Sequence, residues 1–170
     1  MRVSEVVNAR WEEFDLEGGT WSIPRERVKR KDADRGPHVV PIPPHLLSLV
    51  RKWRKADGQA TVFVCASVRS RKLPMLPRGV AKVYRNDLDL TRTHSPHSWR
   101  SAFSTVCREA GKDGDVVEDQ LDHIVGTKTH SAYDRANRLA LRRELMNWYE
   151  ATLIAARDGA TVLPISKRKG

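Results

Sequence analysis

The second half of the chain constrains the fold most, because its apolar residues recur at helical spacing over most of its length. Across residues 99–110 they follow the i, i+3, i+4, i+7 pattern of an amphipathic helix, and Gly111 is suited to ending that helix. A long helix is predicted from about 131 to 156, with Leu141 and Leu145 on its apolar stripe. These stripes predict a helical core.

A shorter helix is predicted between those two. Asp115 and Glu118 have the spacing of a capping box, with Asp in place of Ser or Thr, and so mark a helix start. Val117 and Leu121 belong to the apolar stripe of this helix, and the segment GTKT at 126–129 breaks it. The second half is therefore predicted to hold three helices in succession.

Residues 15–42 predict a β-hairpin with a long, charged tip. The segment TWSI at 20–23 is short and β-prone, and HVVPI at 38–42 is the predicted return strand. Between them, RERVKRKDADR at 25–35 contains six basic and three acidic residues. This composition favours an exposed tip.

The rest of the first half combines helices with apolar segments. A helix is predicted at 44–56, with a proline at its start, and TVFVCAS at 61–67 is interpreted as a buried extended segment. Val80 and Val83 belong to a further amphipathic helix. We therefore predict an α+β fold, mainly α-helical, with a small antiparallel β-hairpin or sheet packed on a helical core.

The first residues predict a helix that is already under way at Met1. Val3, Val6 and Val7 have helical spacing, and the chain offers no capping residue before them. We therefore expect an N-terminally truncated domain over 1–156, followed by a basic, flexible tail at 157–170.

The charge balance favours a polyanionic partner without establishing one. Thirty-one Lys and Arg against twenty-one Asp and Glu give a formal net charge of +10. Cys65 and Cys107 form no CxxC pattern, so we expect two small apolar side chains rather than a zinc site or a disulfide. No signal peptide and no apolar run long enough to span a membrane are found, which favours a soluble, intracellular protein.

The most specific local signal is HSWR at 97–100, at the head of a predicted helix. The i, i+3 spacing places His97 and Arg100 on one helical face, where both can reach one ligand. A helix N-terminus favours a phosphate, and Arg offers a fork that matches phosphate oxygens. Alone, the pattern fits equally a surface His and Arg with no shared role.

The wider pattern resembles the tyrosine recombinase, or phage integrase, family. HSWRSAFSTVCREAG at 97–111 is similar to its H-x-x-R helix, VVEDQLDH at 116–123 to its L-x-H helix, and SAYDRA at 131–136 to the segment with its nucleophilic tyrosine. RVSEVVNARWEEFDLEGGTWSIP at 2–24 resembles the region of its first catalytic arginine. RERVKRKDADRGPHVVPI at 25–42 resembles its lysine-bearing hairpin. Finer details are most similar to integrases of the satellite-phage subgroup.

The resemblance implies an integrase-type catalytic domain and a role for each matching residue. The arginines would hold the phosphate oxygens, and the histidines would donate hydrogen bonds, with one accepting the tyrosine proton. The lysine would protonate the departing 5′ oxygen, and the tyrosine would form a 3′-phosphotyrosine without metal or cofactor. The implied site residues are Arg2, Lys29, His97, Arg100, His123 and Tyr133.

The implied partner is double-stranded DNA that carries a recombination site, with self-association on that DNA and a tetramer in the synaptic complex. The implied location is the cytoplasm, with the nucleoid, in a protein encoded by a bacterium or phage. No membrane partner is expected.

Several alternatives stay open. Arg30 and Lys31 compete with Lys29 for the lysine role, and Arg2 lacks the T-G that usually precedes it in the family. His123 also fits a helix-end residue that interacts with the helix dipole. The chain could act as a DNA-binding fragment with weak or no catalysis, or as a type IB topoisomerase-like enzyme that relaxes supercoils.

Overall fold

The computed structural model describes residues 1–29, 36–58, 60–90, 94–123 and 132–159. The chain divides into two compact units, Met1–Ser101 and Ala102–Gly170, which are called the first and the second unit below. The predicted tail at 157–170 lies almost wholly outside the described residues, so its flexibility stays a prediction. The boundaries predicted for the domain stay predictions as well.

The first unit is built around a three-stranded antiparallel sheet in the order β1 (Phe14–Asp15), β2 (Thr20–Ile23) and β3 (His38–Pro41). Strand β2 pairs with β3 from Thr20 opposite Pro41 to Ile23 opposite His38, which confirms the predicted hairpin. Alternate residues of β2 are buried because neighbouring side chains of a strand point to opposite faces. The core on the inner face contains Ala9, Trp21, Ile23, Val28, Val40 and Ile42.

Helix α1 (Val3–Val7) precedes the sheet. The prediction of a helix already under way at Met1 is wrong, because Arg2 has extended backbone angles and acts as the N-cap. Val7 is fully buried, and Met1 packs against the core of the sheet. The chain start is therefore part of the first unit's core.

Helix α2 (Pro44–Asp57) follows β3 and confirms the helix predicted at 44–56 to within a residue. Proline at the first helical position has no N–H that would need a partner, and Gly58 ends the helix in the left-handed conformation with φ 57°. Val50 is buried, and Leu47 packs against the sheet core.

The segment after α2 differs from its prediction. Residues 61–67 were expected to be buried and extended, yet none of them is fully buried, and 54% of Val62 is exposed. The segment leads instead into a hairpin of β4 (Ala66–Ser67) and β5 (Ser70–Pro74). Helix α3 (Pro77–Asn86) follows and confirms the amphipathic helix marked by Val80 and Val83.

Three helices complete the described fold: α4 (Ser98–Glu109), α5 (Gly114–Gln120) and α6 (Ala132–Arg157). The boundary between the units falls within α4. The second unit has its own core, formed by Phe103 and Cys107 of α4, residues of α5 and Leu145 of α6. The ring of Phe103 meets Tyr149 edge-on at a centroid distance of 4.9 Å. Mainly helical structure with small antiparallel sheets confirms the predicted fold class.

Within the described residues, none of the helices combines the length and the apolar character that a bilayer span requires.

Candidate functional site

Arg2 is held at the start of α1 by a buried carboxylate. Its backbone N–H donates to Glu5 Oε2 at 2.7 Å, and its Nη1 donates to Glu5 Oε1 at 2.8 Å. Glu5 is only 2% exposed, whereas the Arg2 side chain keeps 20% of its surface accessible. Carboxylate and guanidinium therefore fix one another, because each satisfies hydrogen bonds that would be costly to lose on burial.

The sequence interpretation did not assign Glu5 to the site. The signal was present, since an acid three residues after the N-cap has the spacing of a capping box. Glu5 is a structural partner of Arg2.

The charge of Arg100 acts on the amino group of Met1, next to Arg2 in the chain. Burial lowers the pKa of the Met1 amino group, and the positive charge of Arg100 lowers that pKa further. The charge of Arg2 acts on the amino group in the same direction. The charge of Glu5 opposes both effects, and the two predicted arginines, Arg2 and Arg100, thus both act on the Met1 amino group.

His97 is exposed and immediately precedes α4. A turn of two serines fixes its backbone: Ser98 N–H donates to the Ser95 carbonyl at 2.9 Å, and the two hydroxyls lie 2.9 Å apart. The Arg100 N–H donates to the His97 carbonyl at 3.1 Å. His97 and Arg100 therefore occupy the first turn, as the sequence predicted.

Aromatic packing holds the start of α4 against α3. The Trp99 indole N–H donates to the Tyr84 hydroxyl, and the His94 ring meets the Trp99 ring edge-on at 4.4 Å. Trp99 begins the apolar stripe predicted across residues 99–110 and was therefore expected in the core, but that expectation is wrong, since 49% of Trp99 is exposed. These contacts fix the helix turn that carries His97 and Arg100.

Lys29 is exposed and is the last described residue before the hairpin tip. The chain leading to it is anchored, because Val28 is 2% exposed and Arg27 donates to the Asn8 carbonyl and to Glu13. The rival residues Arg30 and Lys31 lie outside the described residues. The choice among the three residues for the lysine role therefore stays open.

His123 lies just after α5, in the second unit. The His123 N–H donates to the Glu118 carbonyl at 2.9 Å, and the Asp122 N–H donates to the Asp119 carbonyl at 3.0 Å. Asp122 has a positive φ of 54°. These features form a Schellman motif, which ends a helix by satisfying its last carbonyls. The motif fixes the backbone of His123.

The side chain of His123 is fixed as well. Its Nδ1 lies 2.5 Å from Glu118 Oε2, and Arg108 donates to the other Glu118 oxygen. The sequence had assigned Glu118 to a capping box, and that assignment is wrong. The N-cap of α5 is Asp113, whose carboxylate accepts from the N–H groups of Asp115 and Val116.

Tyr133 lies in the first turn of α6, while its side chain and residues 124–131 lie outside the described part. Further along, helix α6 is held to α5 by side-chain contacts. Arg142 Nε donates to Gln120 Oε1 at 2.8 Å, and Arg138 pairs with Asp119. Burial lowers the pKa of Arg142 to about 10, and nearby aspartates oppose that shift.

The six predicted site residues are thus divided between the two units. Arg2, Lys29, His97 and Arg100 belong to the first unit, and His123 and Tyr133 belong to the second. Among the described residues, no group of three or more His, Cys, Asp or Glu side chains is arranged to hold a metal ion.

Comparison with known proteins identifies the family to which this mainly helical chain belongs. Residues 1–139 match the model of the phage integrase family, and the chain belongs to that family. The family is that of the tyrosine recombinases, whose catalytic domain the motifs had predicted.

Named relatives agree with this assignment. Prophage integrase IntA of Escherichia coli K12 is 30% identical over 95% of this chain and 38% of the relative. The integrase of Shigella phage Sf6 is 28% identical over 88% of this chain and 37% of its own length. The integrase of Enterobacteria phage P4 is 27% identical over 88% of this chain and 36% of its own length. The chain spans well under half the length of these relatives.

Proposed function

We propose that the chain provides the catalytic domain of a site-specific recombinase that cleaves and rejoins DNA through a covalent 3′-phosphotyrosine. The observation that carries the proposal is that Arg2 and Arg100 both act on the charge of the Met1 amino group, with His97 in the same helical turn as Arg100. This combination suits one phosphate, because its oxygens accept hydrogen bonds from guanidinium and imidazole N–H groups. The family membership supports the same chemistry.

The arginines would make the phosphodiester susceptible to attack. A phosphodiester is anionic, so its transition state requires positive groups aimed at the non-bridging oxygens. Arg2 and Arg100 suit this task because a guanidinium is positively charged and can hold two phosphate oxygens at once. The bond between Arg2 and buried Glu5 keeps the first guanidinium oriented before DNA binds, which lowers the cost of reorganisation.

The covalent step exchanges one phosphate ester for another. The Tyr133 oxygen forms a bond to phosphorus while the bond from phosphorus to the 5′ oxygen breaks. The tyrosine proton goes to a histidine, His97 or His123, and Lys29 gives a proton to the departing 5′ oxygen. Reversal of the same steps rejoins DNA, since the new ester conserves the energy of the old one.

Double-stranded DNA that carries a recombination site is the proposed partner. The net charge of +10 suits it, because binding a phosphate releases condensed counterions. We further propose that the protein self-associates on DNA, as a tetramer in the synaptic complex, and acts in the cytoplasm with the nucleoid.

The test is covalent capture on nicked suicide duplexes, in which the short 5′ fragment diffuses away after cleavage and traps the adduct. A pool of randomised sequence serves as substrate, and adducts that resist detergent are recovered and sequenced. Wild type and Tyr149→Phe, a matched change on the same helix, are expected to form adducts, whereas Tyr133→Phe is not.

Two outcomes would contradict the proposal. Adducts formed by Tyr133→Phe would show that another residue is the nucleophile. Salt-sensitive DNA binding by the wild type without any adduct would favour the alternative of a DNA-binding fragment without catalysis.

A further inference from the structure

The end of α5 holds His123 through two groups of a single residue. The Glu118 carbonyl accepts the His123 backbone N–H at 2.9 Å, and Glu118 Oε2 lies 2.5 Å from His123 Nδ1. Backbone and ring are therefore fixed by the same residue, five positions earlier in the chain. The His123 side chain still keeps 44% of its surface accessible, so a reactant can reach it.

Glu118 is held in the charged state. Partial burial by itself raises the pKa of this carboxyl, but hydrogen bonds from His123 and Arg108 outweigh burial and lower the pKa below its ordinary value. Arg108 donates to Oε1, which leaves Oε2 for the imidazole. The two oxygens are thus divided between two partners, and the carboxylate cannot rotate without losing one of them.

An ionised carboxylate accepts hydrogen bonds and donates none. The proton of the contact must therefore lie on His123 Nδ1. In a neutral imidazole only one nitrogen carries a proton, so the Nδ1–H form is deprotonated at Nε2. The nitrogen that points away from Glu118 is then the one able to accept a proton.

We propose that Glu118 is a positioning residue that fixes the Nδ1–H form of His123 and so makes Nε2 the nitrogen that exchanges the proton in DNA cleavage. In that step the Tyr133 hydroxyl proton passes to Nε2 as the oxygen bonds to phosphorus. This inference rests on the proposed function and deepens it, because it chooses between the two candidate histidines. Arg108 supports the arrangement by holding the second oxygen of Glu118.

The first experiment reads the tautomer directly and requires no activity. In a ¹⁵N-labelled chain, long-range proton–nitrogen correlation shows which imidazole nitrogen carries the proton, at a pH high enough to neutralise the ring. A spectrum of His123→Gln assigns the signals. Wild type is expected to carry the proton on Nδ1, whereas Glu118→Ala is expected to carry it mainly on Nε2.

Two variants serve as controls. Glu118→Gln is expected to keep the proton on Nδ1 to a larger extent than Glu118→Ala, because its one amide oxygen still accepts a hydrogen bond, although His123 and Arg108 compete for it. Glu144→Ala, at an exposed glutamate on α6, is expected to leave the tautomer unchanged. An Nδ1 proton that persists in Glu118→Ala would overturn the proposal, as would an equal loss of that proton in Glu118→Gln.

The second experiment measures the initial rate of adduct formation on the nicked duplexes. Glu118→Ala is expected to lower the rate by about 10- to 100-fold, by analogy with the range seen when a hydrogen-bond partner of a metal-bound imidazole is removed. Glu118→Gln is expected to restore part of the rate, and Glu144→Ala to retain all of it. A rate in Glu118→Ala equal to that of the wild type would refute the role in cleavage.

The two experiments separate this proposal from the proposed function. If the wild type forms no adduct, the proposed function is refuted, whichever nitrogen of His123 carries the proton. If the wild type forms adducts while the His123 tautomer is the same in the wild type and in Glu118→Ala, only the positioning role is refuted.

Discussion

Arg142 of α6 donates a hydrogen bond from its Nε to Oε1 of Gln120 in α5, and both side chains are buried. Nearby aspartates also act on the Arg142 charge, which opposes the effect of burial on its pKa. A buried charge is tolerated only where it is hydrogen-bonded and paired. This contact therefore does more to fix α6 on α5 than an exposed ion pair would.

Gln120→Ala is expected to lower the free energy of unfolding by about 2 kcal/mol, because it leaves a buried guanidinium short of one acceptor. Urea denaturation at neutral pH measures the change. Glu144→Ala, an exposed substitution on α6, is the control and should stay within about 0.5 kcal/mol of the wild type. Equal stability of the two variants would show that the buried contact contributes nothing.

Asp122 provides a second test, since its φ of 54° lies in a region that favours glycine. Asp122→Gly and Asp122→Ala both remove the carboxylate near Arg142 and differ only by a methyl group. The Gly variant is expected to be more stable than the Ala variant by about 1 kcal/mol. Thermal unfolding of the pair measures this difference, and an Ala variant at least as stable as the Gly variant would contradict the strained turn.

The role of Lys29 is tested by changing the leaving group. Lys29→Ala is expected to slow cleavage by about 100- to 10,000-fold, the usual contribution of a general acid. A duplex with sulfur in place of the bridging 5′ oxygen should restore the rate, because a thiolate leaves without being protonated. Arg30→Ala and Lys31→Ala are the matched controls. Rescue by sulfur in one of these instead would transfer the role to that residue.

Burial raises the pKa of Cys107 from 9.0 to about 11, with the charge of Lys112 opposing the shift. The neutral thiol is thus favoured in the folded state. Its contribution to stability is fully present below pH 9.0 and is lost as the pH rises through about 11.

We therefore expect the stability advantage of wild type over Cys107→Ala to shrink as the pH rises from neutrality through this range. Urea denaturation of both proteins at several pH values measures it. The comparison cancels the other groups that titrate in the same range, since both proteins contain them. A constant advantage at every pH would contradict the burial of an unionised thiol.

The elements with strong local patterns could be predicted from the sequence. The strand at 20–23 and the helix at 44–56 were predicted to within a residue, because alternation and helical periodicity are properties of the segments themselves. The hairpin at 66–74 was missed. Its apolar residues give no such pattern, and Val68 is 98% exposed while Leu73 is 60% exposed.

Prediction of the candidate site from the sequence is limited in the same way. The shared turn of His97 and Arg100 follows from helical spacing alone, and the sequence sufficed to place it. Glu118 was assigned wrongly, because its spacing from Asp115 fits a capping box. In the structure Glu118 instead contacts His123, five residues later, and Arg108 of helix α4. Only folding brings Arg108 near Glu118.

The buried contact at Arg142 also has a geometric consequence for the start of α6. Tyr133 lies nine residues before that anchor, about 13 Å along the helix axis at 1.5 Å per residue. A tilt of about 5° about the anchor would displace the first turn by about 1 Å, a misplacement that can cost an enzyme about 100-fold in rate. The position of Tyr133, the proposed nucleophile, thus depends on the side-chain amide of Gln120, which has no contact with DNA in the proposed reaction.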